Sequence, residues 1–267
     1  MSTRLAEALL SNGLPEESIR ERVRGIHRDL LARSRFMREP NFNSIHPDDL
    51  AFLFQAYDQR FFGGLFGEAL NGSRLDLGLS RRMSRAGGAT VRMQNRVTGE
   101  VSFEIKIAIS LLYDGFGEGD PRVTACGIEC VTRLEALQRI FEHELIHLGE
   151  QLAWQDSSCS RARFQHAAAG WFLHSAHTHA LITRRDRAAE EGIRVGSMVE
   201  FAFEGRRLTG RVNRITKRAT VLVADPKGAL YSSGRRYLVY YVGIRSLRLA
   251  GAGDEARQSL AELAQPG

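Results

Sequence analysis

A predicted helix that opens at Thr132 and carries the segment HELIH at residues 143–147 constrains the fold of this chain more than any other feature. Thr132 followed three residues later by Glu135 matches a capping box, which predicts a helix N-terminus. Apolar residues then recur at helical spacing and predict one buried stripe. That stripe consists of Leu134, Leu137, Ile140, Phe141, Leu145 and Leu148.

The HELIH segment has the spacing of a metal site. His143 and His147 are four residues apart, so on a helix both imidazole rings project from the same face and can bind one Zn²⁺ ion. Glu144 would lie beside the open coordination position, where its carboxylate can act as general base on a zinc-bound water. The pattern predicts hydrolysis of an amide bond.

The alternative is that His143 and His147 are ordinary residues of a buried helix, because this short pattern also arises by chance. Three features favour the metal site. A predicted sheet precedes the helix, the interior pair Leu145 and Ile146 is apolar, and six of the 8 histidines fall between residues 143 and 179.

The remaining pattern predicts an α+β protein. Period-two alternation in LDLGLSRR, GATVRMQ and SFEIKIAIS, between residues 74 and 110, predicts a small antiparallel sheet. Helical spacing predicts further helices over residues 14–35, in the segment that starts HPDDLAFLF, and in RARFQHAAAGWFLH. From Val195 onward five short strands separated by turns predict a small closed barrel or sandwich.

Positive charge is concentrated in that C-terminal region. The whole chain has a formal charge of +6, and residues 192–250 hold twelve Lys or Arg against three acids, a net of +9. Arginines interleaved with tyrosines suit phosphate contacts and base stacking, which predicts DNA or RNA as a partner; the alternative is a solvated charged surface with tyrosines half-buried in a small barrel. The residues concerned are Arg206, Arg207, Arg211, Arg214, Lys217, Arg218, Arg235, Arg236, Tyr231, Tyr237, Tyr240 and Tyr241.

Composition bounds the class of protein. With 267 residues, of which 43% are hydrophobic, the chain can bury the cores of two domains. We find no apolar run long enough to span a membrane and no secretory signal at the start, so we expect a cytoplasmic protein without membrane association. Cys126, Cys130 and Cys159 are an odd count without framework spacing, which favours reduced thiols over disulfides or half of a metal site.

Four segments together resemble the SprT-like family of zinc metalloproteases, which includes Spartan. They are AYDQRFFGGLF, LGLSRRMSRAGGAT, EIKIAISLLYDGF and FEHELIHLGEQLAW, and they lie in the family's order within residues 47–181. The resemblance implies a minimal zincin core in which a strand beside the metal, here residues 103–110, holds an extended peptide by strand addition. It also implies a protease that acts on proteins attached to nucleic acid.

The sequence departs from the family at the third zinc ligand. The family supplies a histidine in a His-Gly-x-x-aromatic motif, and the matching stretch here begins with Ser160 and ends with Phe164. By helical phase His174 lies at the margin of the inward face of the next helix, so we expect His143, His147 and His174 to bind the metal. The alternatives left open are His179, Cys159, His177 and His166, the last of which points away from that face.

These inferences give an expected domain organisation. Residues 1–43 form an N-terminal helical arm, residues 44–184 an SprT-like zincin domain, residues 192–250 a basic SH3-like β-barrel, and residues 251–267 a tail. The expected function is a zinc metallopeptidase with Glu144 as catalytic base, acting on a protein or peptide substrate. The alternative is a nucleic-acid-associated binding protein whose zincin-like domain keeps a structural metal with little or no turnover.

Overall fold

The computed structural model describes residues 3–83, 86–116, 123–176, 179–180, 192–215 and 218–251. The chain is α+β, as predicted, and divides into two compact units, Met1–Leu181 and Ile182–Gly267. Among the described residues, no helix combines the length and the apolar character needed to cross a bilayer.

Helices surround a small sheet in the first unit. Segments predicted to be helical form helices, and the π-helical turn Asp58–Phe62 directly continues one of them. The helices are α1 (Thr3–Leu10), α2 (Glu16–Arg33), α3 (Pro47–Tyr57), α4 (Leu65–Leu70), α5 (Ile109–Gly115), α6 (Arg133–Trp154) and α7 (Ala162–Phe172).

The amphipathic helix α2 packs into the first unit. Four of its apolar residues, Ile19, Val23, Ile26 and Leu30, are buried in the same hydrophobic cluster as the stripe of α6. Spacings of three and four residues put these side chains on one face, so burying them leaves the charged face of α2 in water. The segment expected to form an N-terminal arm therefore contributes to the core of this unit.

The sheet of the first unit is mixed, so the expectation of an antiparallel sheet was wrong for one pairing. The strands β1 (Arg74–Ser80), β2 (Gly88–Gln94) and β3 (Val101–Ala108) lie in the order β1-β3-β2. Strand β3 returns antiparallel to β2 and fits between β2 and β1, where it runs parallel to β1. Period-two alternation predicts a strand but not the direction of its neighbour.

A second small sheet lies against α6. It consists of β4 (Val123–Ala125), β5 (Ile128–Cys130) and β6 (His179–Ala180), with β4 in the centre. Cys126 and Gly127 form the turn between β4 and β5, and both have positive φ. This turn positions the Cys126 side chain in the interior, next to His143 on α6.

The second unit contains the five predicted strands in one antiparallel sheet. They are β7 (Met198–Phe203), β8 (Arg206–Ile215), β9 (Ala219–Leu230), β10 (Arg236–Val242) and β11 (Arg248–Leu249), in the order β10-β9-β8-β7-β11. A separate hydrophobic cluster that includes Val199, Phe201, Val212 and Val221 covers one face of this sheet. No pairing joins β10 to β11 in the ranges that the structure describes, so the sheet seen there is not closed.

Candidate metal centre

Helix α6 runs through the interior of the first unit and carries the histidine pair. Its N-terminus is capped by Thr132, whose Oγ1 accepts a hydrogen bond from the Glu135 backbone N–H at 3.2 Å. The Glu135 carboxylate accepts from the Val131 N–H instead of completing the capping box at Thr132. The predicted stripe of α6 is fully buried.

His143 and His147 converge on one point. Their Nε2 atoms are 3.2 Å apart. The Cys159 sulfur completes a group whose ligand atoms all lie within 4.8 Å of one another. The ring of buried Phe164, on α7, contacts both imidazoles, with centroid distances of 4.7 and 4.4 Å. These three side chains could hold one metal ion, and half-buried His147 and Cys159 give the group a side towards solvent.

A hydrogen-bonded chain fixes the tautomer of His147. Ser157 donates its hydroxyl proton to Glu150 Oε2 at 2.7 Å. Ser157 Oγ therefore accepts the hydrogen bond from His147 Nδ1–H at 2.6 Å. Arg163 in turn donates to Glu150 Oε1 at 2.6 Å. With its proton on Nδ1, His147 presents a bare lone pair at Nε2. Burial lowers the pKa of His147 to about 4, although the charge of Glu150 acts in the other direction.

The Glu144 carboxylate is enclosed between α6 and β2. Thr90 donates its hydroxyl to Glu144 Oε2 at 2.7 Å. Gly88, at the start of β2, leaves room for the side chain, since a Cβ there would lie 2.6 Å from Glu144 Oε1. Burial raises the pKa of Glu144 to about 7, and the hydrogen bond from Thr90 lowers it in part. Such a carboxyl group can take up and release a proton near neutral pH.

His174 lies close to His143 but outside the group that contains His147. Its Nε2 is 3.0 Å from Glu142 Oε2, and a ring nitrogen belongs to a second ligand-type group with His143 and Cys126. Burial lowers the pKa of His174, whereas the hydrogen bond to Glu142 raises it. The structure thus brings His143 and His147 together with Cys159, and brings His174 together with His143 and Cys126.

The other candidate residues lie elsewhere. His166 is exposed, as predicted, and its Nε2 contacts the backbone oxygens of Leu10 and Ser11. The backbone of His179 pairs with β4, while its side chain and the whole of His177 lie outside the described residues.

Sequence reasoning missed three residues that complete this centre. Ser157 and Glu150 support His147, and Thr90 holds Glu144. A serine or threonine hydroxyl at these positions has no distinguishing pattern in the sequence, because its role depends on contacts between distant segments. Of these three residues, Thr90 and Glu150 lie within segments of the family resemblance, and Ser157 lies outside them.

Comparisons of the chain with protein-family models, with curated proteins and with solved structures found no match.

Proposed function

We propose that this chain is a zinc-dependent metallopeptidase with an SprT-like zincin core, in which His143, His147 and Cys159 hold the metal and Glu144 is the general base. The observation that carries the proposal is the convergence of the two Nε2 atoms and the Cys159 sulfur beside an enclosed carboxylate.

The donor atoms fit a zinc ion. Two nitrogens at about 2.0–2.1 Å from one ion in tetrahedral geometry are separated by roughly 3.3 Å, and the two Nε2 atoms are 3.2 Å apart. The chain through Ser157 to Glu150 leaves the His147 lone pair at Nε2, which is the arrangement that supports imidazole ligands in metal proteins. Thiolate and imidazole are both ligands that zinc favours.

Cys159 suits the third ligand position better than His174. The Cys159 sulfur groups with both histidines of the motif, whereas His174 groups with only His143 and uses its Nε2 on Glu142. Cys159 also directly precedes Ser160, which occupies the position where the SprT-like family has its histidine. We therefore propose that the thiolate ligand is displaced by one residue from the family position.

Glu144 would move the proton during hydrolysis. When bound, zinc supplies Lewis-acid chemistry that activates water for attack on a peptide carbonyl. Glu144 takes the proton from the attacking water and donates it to the leaving amine. In the metal-free protein, burial raises the pKa of this carboxyl group to about 7. Thr90 holds the carboxylate in place for both steps.

The edge strand β2 would hold the peptide. We expected residues 103–110 in this role, but β3 ends at Ala108 and is paired with β1 and β2 over its length, so its backbone groups are taken. Strand β2 is paired on one side only within the described ranges, and Val91 and Met93 are exposed on it. Because Thr90 on β2 contacts Glu144, a peptide added to this edge would lie beside the metal centre.

The second unit would bind nucleic acid through the sheet face opposite its hydrophobic cluster. Exposed Arg211 pairs across the sheet with Leu222, whose partner on β10 is Val239. Exposed Arg214 pairs with Thr220, whose partner on β10 is the 68% exposed Tyr241. Two arginines and an aromatic ring on one face support phosphate contacts with base stacking, on a module that we propose to be SH3-like.

The test is metal content and peptidase activity of Glu144→Gln, Cys159→Ala and His174→Gln variants beside the parent. Glu144→Gln should keep one zinc and lose activity by ~10²-fold or more. Cys159→Ala should lose zinc, whereas His174→Gln, which retains an amide donor for Glu142, should keep it. Activity unchanged in Glu144→Gln would refute the peptidase proposal and leave a binding protein with a structural metal.

A further inference from the structure

A second group of ligand-type side chains lies next to His143, with Cys126 near the Nδ1 atom of the His143 ring. The Cys126 sulfur is 3.9 Å from His143 Nδ1. The ligand atoms of Cys126, His143 and His174 all lie within 4.8 Å of one another, and all three side chains are buried. Cys126 reaches this position because it occupies the tight turn between β4 and β5.

His174 contributes one ring nitrogen to this group, and its Nδ1 atom carries an unpartnered lone pair. Glu142 already accepts hydrogen bonds from Tyr57 at 2.6 Å and from Arg139 at 2.8 Å, so it is an acceptor and His174 Nε2 is the donor to it. The proton of neutral His174 is therefore on Nε2, and Nδ1 carries a bare lone pair. That Nδ1 atom is buried and has no hydrogen-bond partner among the described residues.

A buried lone pair without a donor is unfavourable. A cation at this position would satisfy it. In metalloproteins, a metal-bound histidine commonly donates its other ring N–H to a carboxylate, which orients the imidazole and raises its basicity. Glu142 holds His174 in that way, and Arg139 and Tyr57 hold Glu142.

We propose that Cys126, His143 and His174 form a second site for a thiophilic divalent cation, and that this site competes with the His143–His147–Cys159 centre. The competition follows from His143, because a neutral imidazole has one lone pair and one proton. With the lone pair of Nε2 on an ion in the first centre, Nδ1 holds the proton and cannot bind. With Nδ1 on an ion in the second site, the proton is on Nε2 and the first centre loses a ligand.

Thiolate and imidazole ligands select thiophilic ions such as Zn²⁺ or Cd²⁺ over hard ions such as Mg²⁺ or Ca²⁺. Binding displaces the proton of the Cys126 thiol to solvent, and the sulfur electron pair forms the bond to the ion. His174 also lines a cavity of about 340 Å³ with Phe164, Gln165 and Ala168. An excess of such ions would then bind His143 through Nδ1, and the first centre would lose His143 as a ligand.

Cadmium binding to the full-length, metal-free protein tests the second site. We would measure stoichiometry by equilibrium dialysis with mass spectrometry, and thiolate coordination by its charge-transfer absorption. In a His147→Ala/Cys159→Ser variant, where the first centre keeps only His143, one Cd²⁺ with thiolate absorption should still bind. Adding Cys126→Ser or His174→Gln should abolish that binding, whereas Cys130→Ser, a buried thiol in the same hairpin but outside the group, should not.

The parent chain tests the competition. It should bind one Cd²⁺ across the two sites, and Cys126→Ser should also bind one, at the first centre. Two Cd²⁺ in the parent would overturn the competition, and no thiolate-bound Cd²⁺ in the His147→Ala/Cys159→Ser variant would overturn the site. The inference depends on the proposed first centre only through His143. The second site is tested by Cd²⁺ binding and not by activity. A lack of peptidase activity would therefore refute the proposed function and leave the second site unaffected.

Discussion

Glu144 and Gly88 lie against each other so closely that no side chain fits at residue 88: a Cβ there would be 2.6 Å from both Cγ and Oε1 of Glu144. We predict that Gly88→Ala moves the carboxylate off the hydrogen bond from Thr90 and lowers peptidase activity towards the ~10²-fold loss expected when general-base catalysis is removed. Zinc content should be unchanged, because Glu144 is not a ligand. Kinetics and metal analysis of the same preparation check both statements.

The matched control for this variant is Gly78→Ala. Gly78 is also a strand glycine, on β1, and a Cβ there would meet its nearest neighbour at 3.7 Å, which is an ordinary contact. Gly78→Ala should therefore retain activity. Equal losses in the two variants would mean that the effect comes from the sheet and not from the position of Glu144.

Ser157 connects His147 to Glu150, and we predict that this connection supports metal binding. Ser157→Ala removes the acceptor for His147 Nδ1–H, so the ring loses its fixed tautomer and orientation. Loss of such a contact lowers metal affinity by about 10–100-fold. Zinc affinity measured by competition with a chelator should fall within that range. The control is Ser158→Ala, whose hydroxyl contacts only the Ser160 hydroxyl among the described side chains; a similar loss there would count against the prediction.

Burial of Glu144 predicts a pH-dependent stability of the metal-free protein. The pKa of Glu144 is raised from 4.5 to about 7 on folding, so between these values the folded chain holds more protons than the unfolded chain. Stability therefore falls as pH rises through this window. The gap between the two pKa values corresponds to roughly 3 kcal/mol.

Glu144→Gln isolates this contribution, because glutamine keeps an oxygen for Thr90 and cannot ionise. In urea unfolding with a chelator present, the variant should be about 3 kcal/mol more stable than the parent above pH 7. That difference should shrink towards zero near pH 4.5. His147 titrates in both proteins and cancels from the comparison. A difference that does not change with pH would show that Glu144 is solvated in the folded chain.

The sequence was informative where one periodicity decided the structure. The stripe of α6, the inward face of α7 and the five strands of the second unit follow from residue spacing alone, and the structure confirms them. The proposed roles of His143, Glu144 and His147 also depend on local spacing, since all three lie on one helix. Such features need no knowledge of distant contacts.

Features that depend on contacts between distant segments could not be predicted. Strand β3 pairs in opposite directions with its two neighbours, and alternation carries no information on direction. Helical phase assumed that α7 continues through His174, but α7 ends at Phe172 and Leu173 has a positive φ, so His174 follows the helix. Its grouping with His143 and Cys126 depends on contacts that helical phase does not describe. Cys159 lies in the loop after α6, where no periodicity applies, and only the folded chain brings it to the histidine pair.

The sheet face of the second unit gives a prediction that separates a specific interface from general positive charge. Arg211→Ala should weaken binding of a single-stranded oligonucleotide and reduce the slope of log affinity against log salt by about 0.7, the value expected for one lost contact to single-stranded phosphate. Arg194→Ala removes the same charge from the same unit at an exposed position outside the strands, where its backbone N–H contacts Ser197. Fluorescence anisotropy at several salt concentrations should therefore show the larger change for Arg211. Equal effects from the two substitutions would mean that net charge, and not the β8–β10 face, attracts nucleic acid.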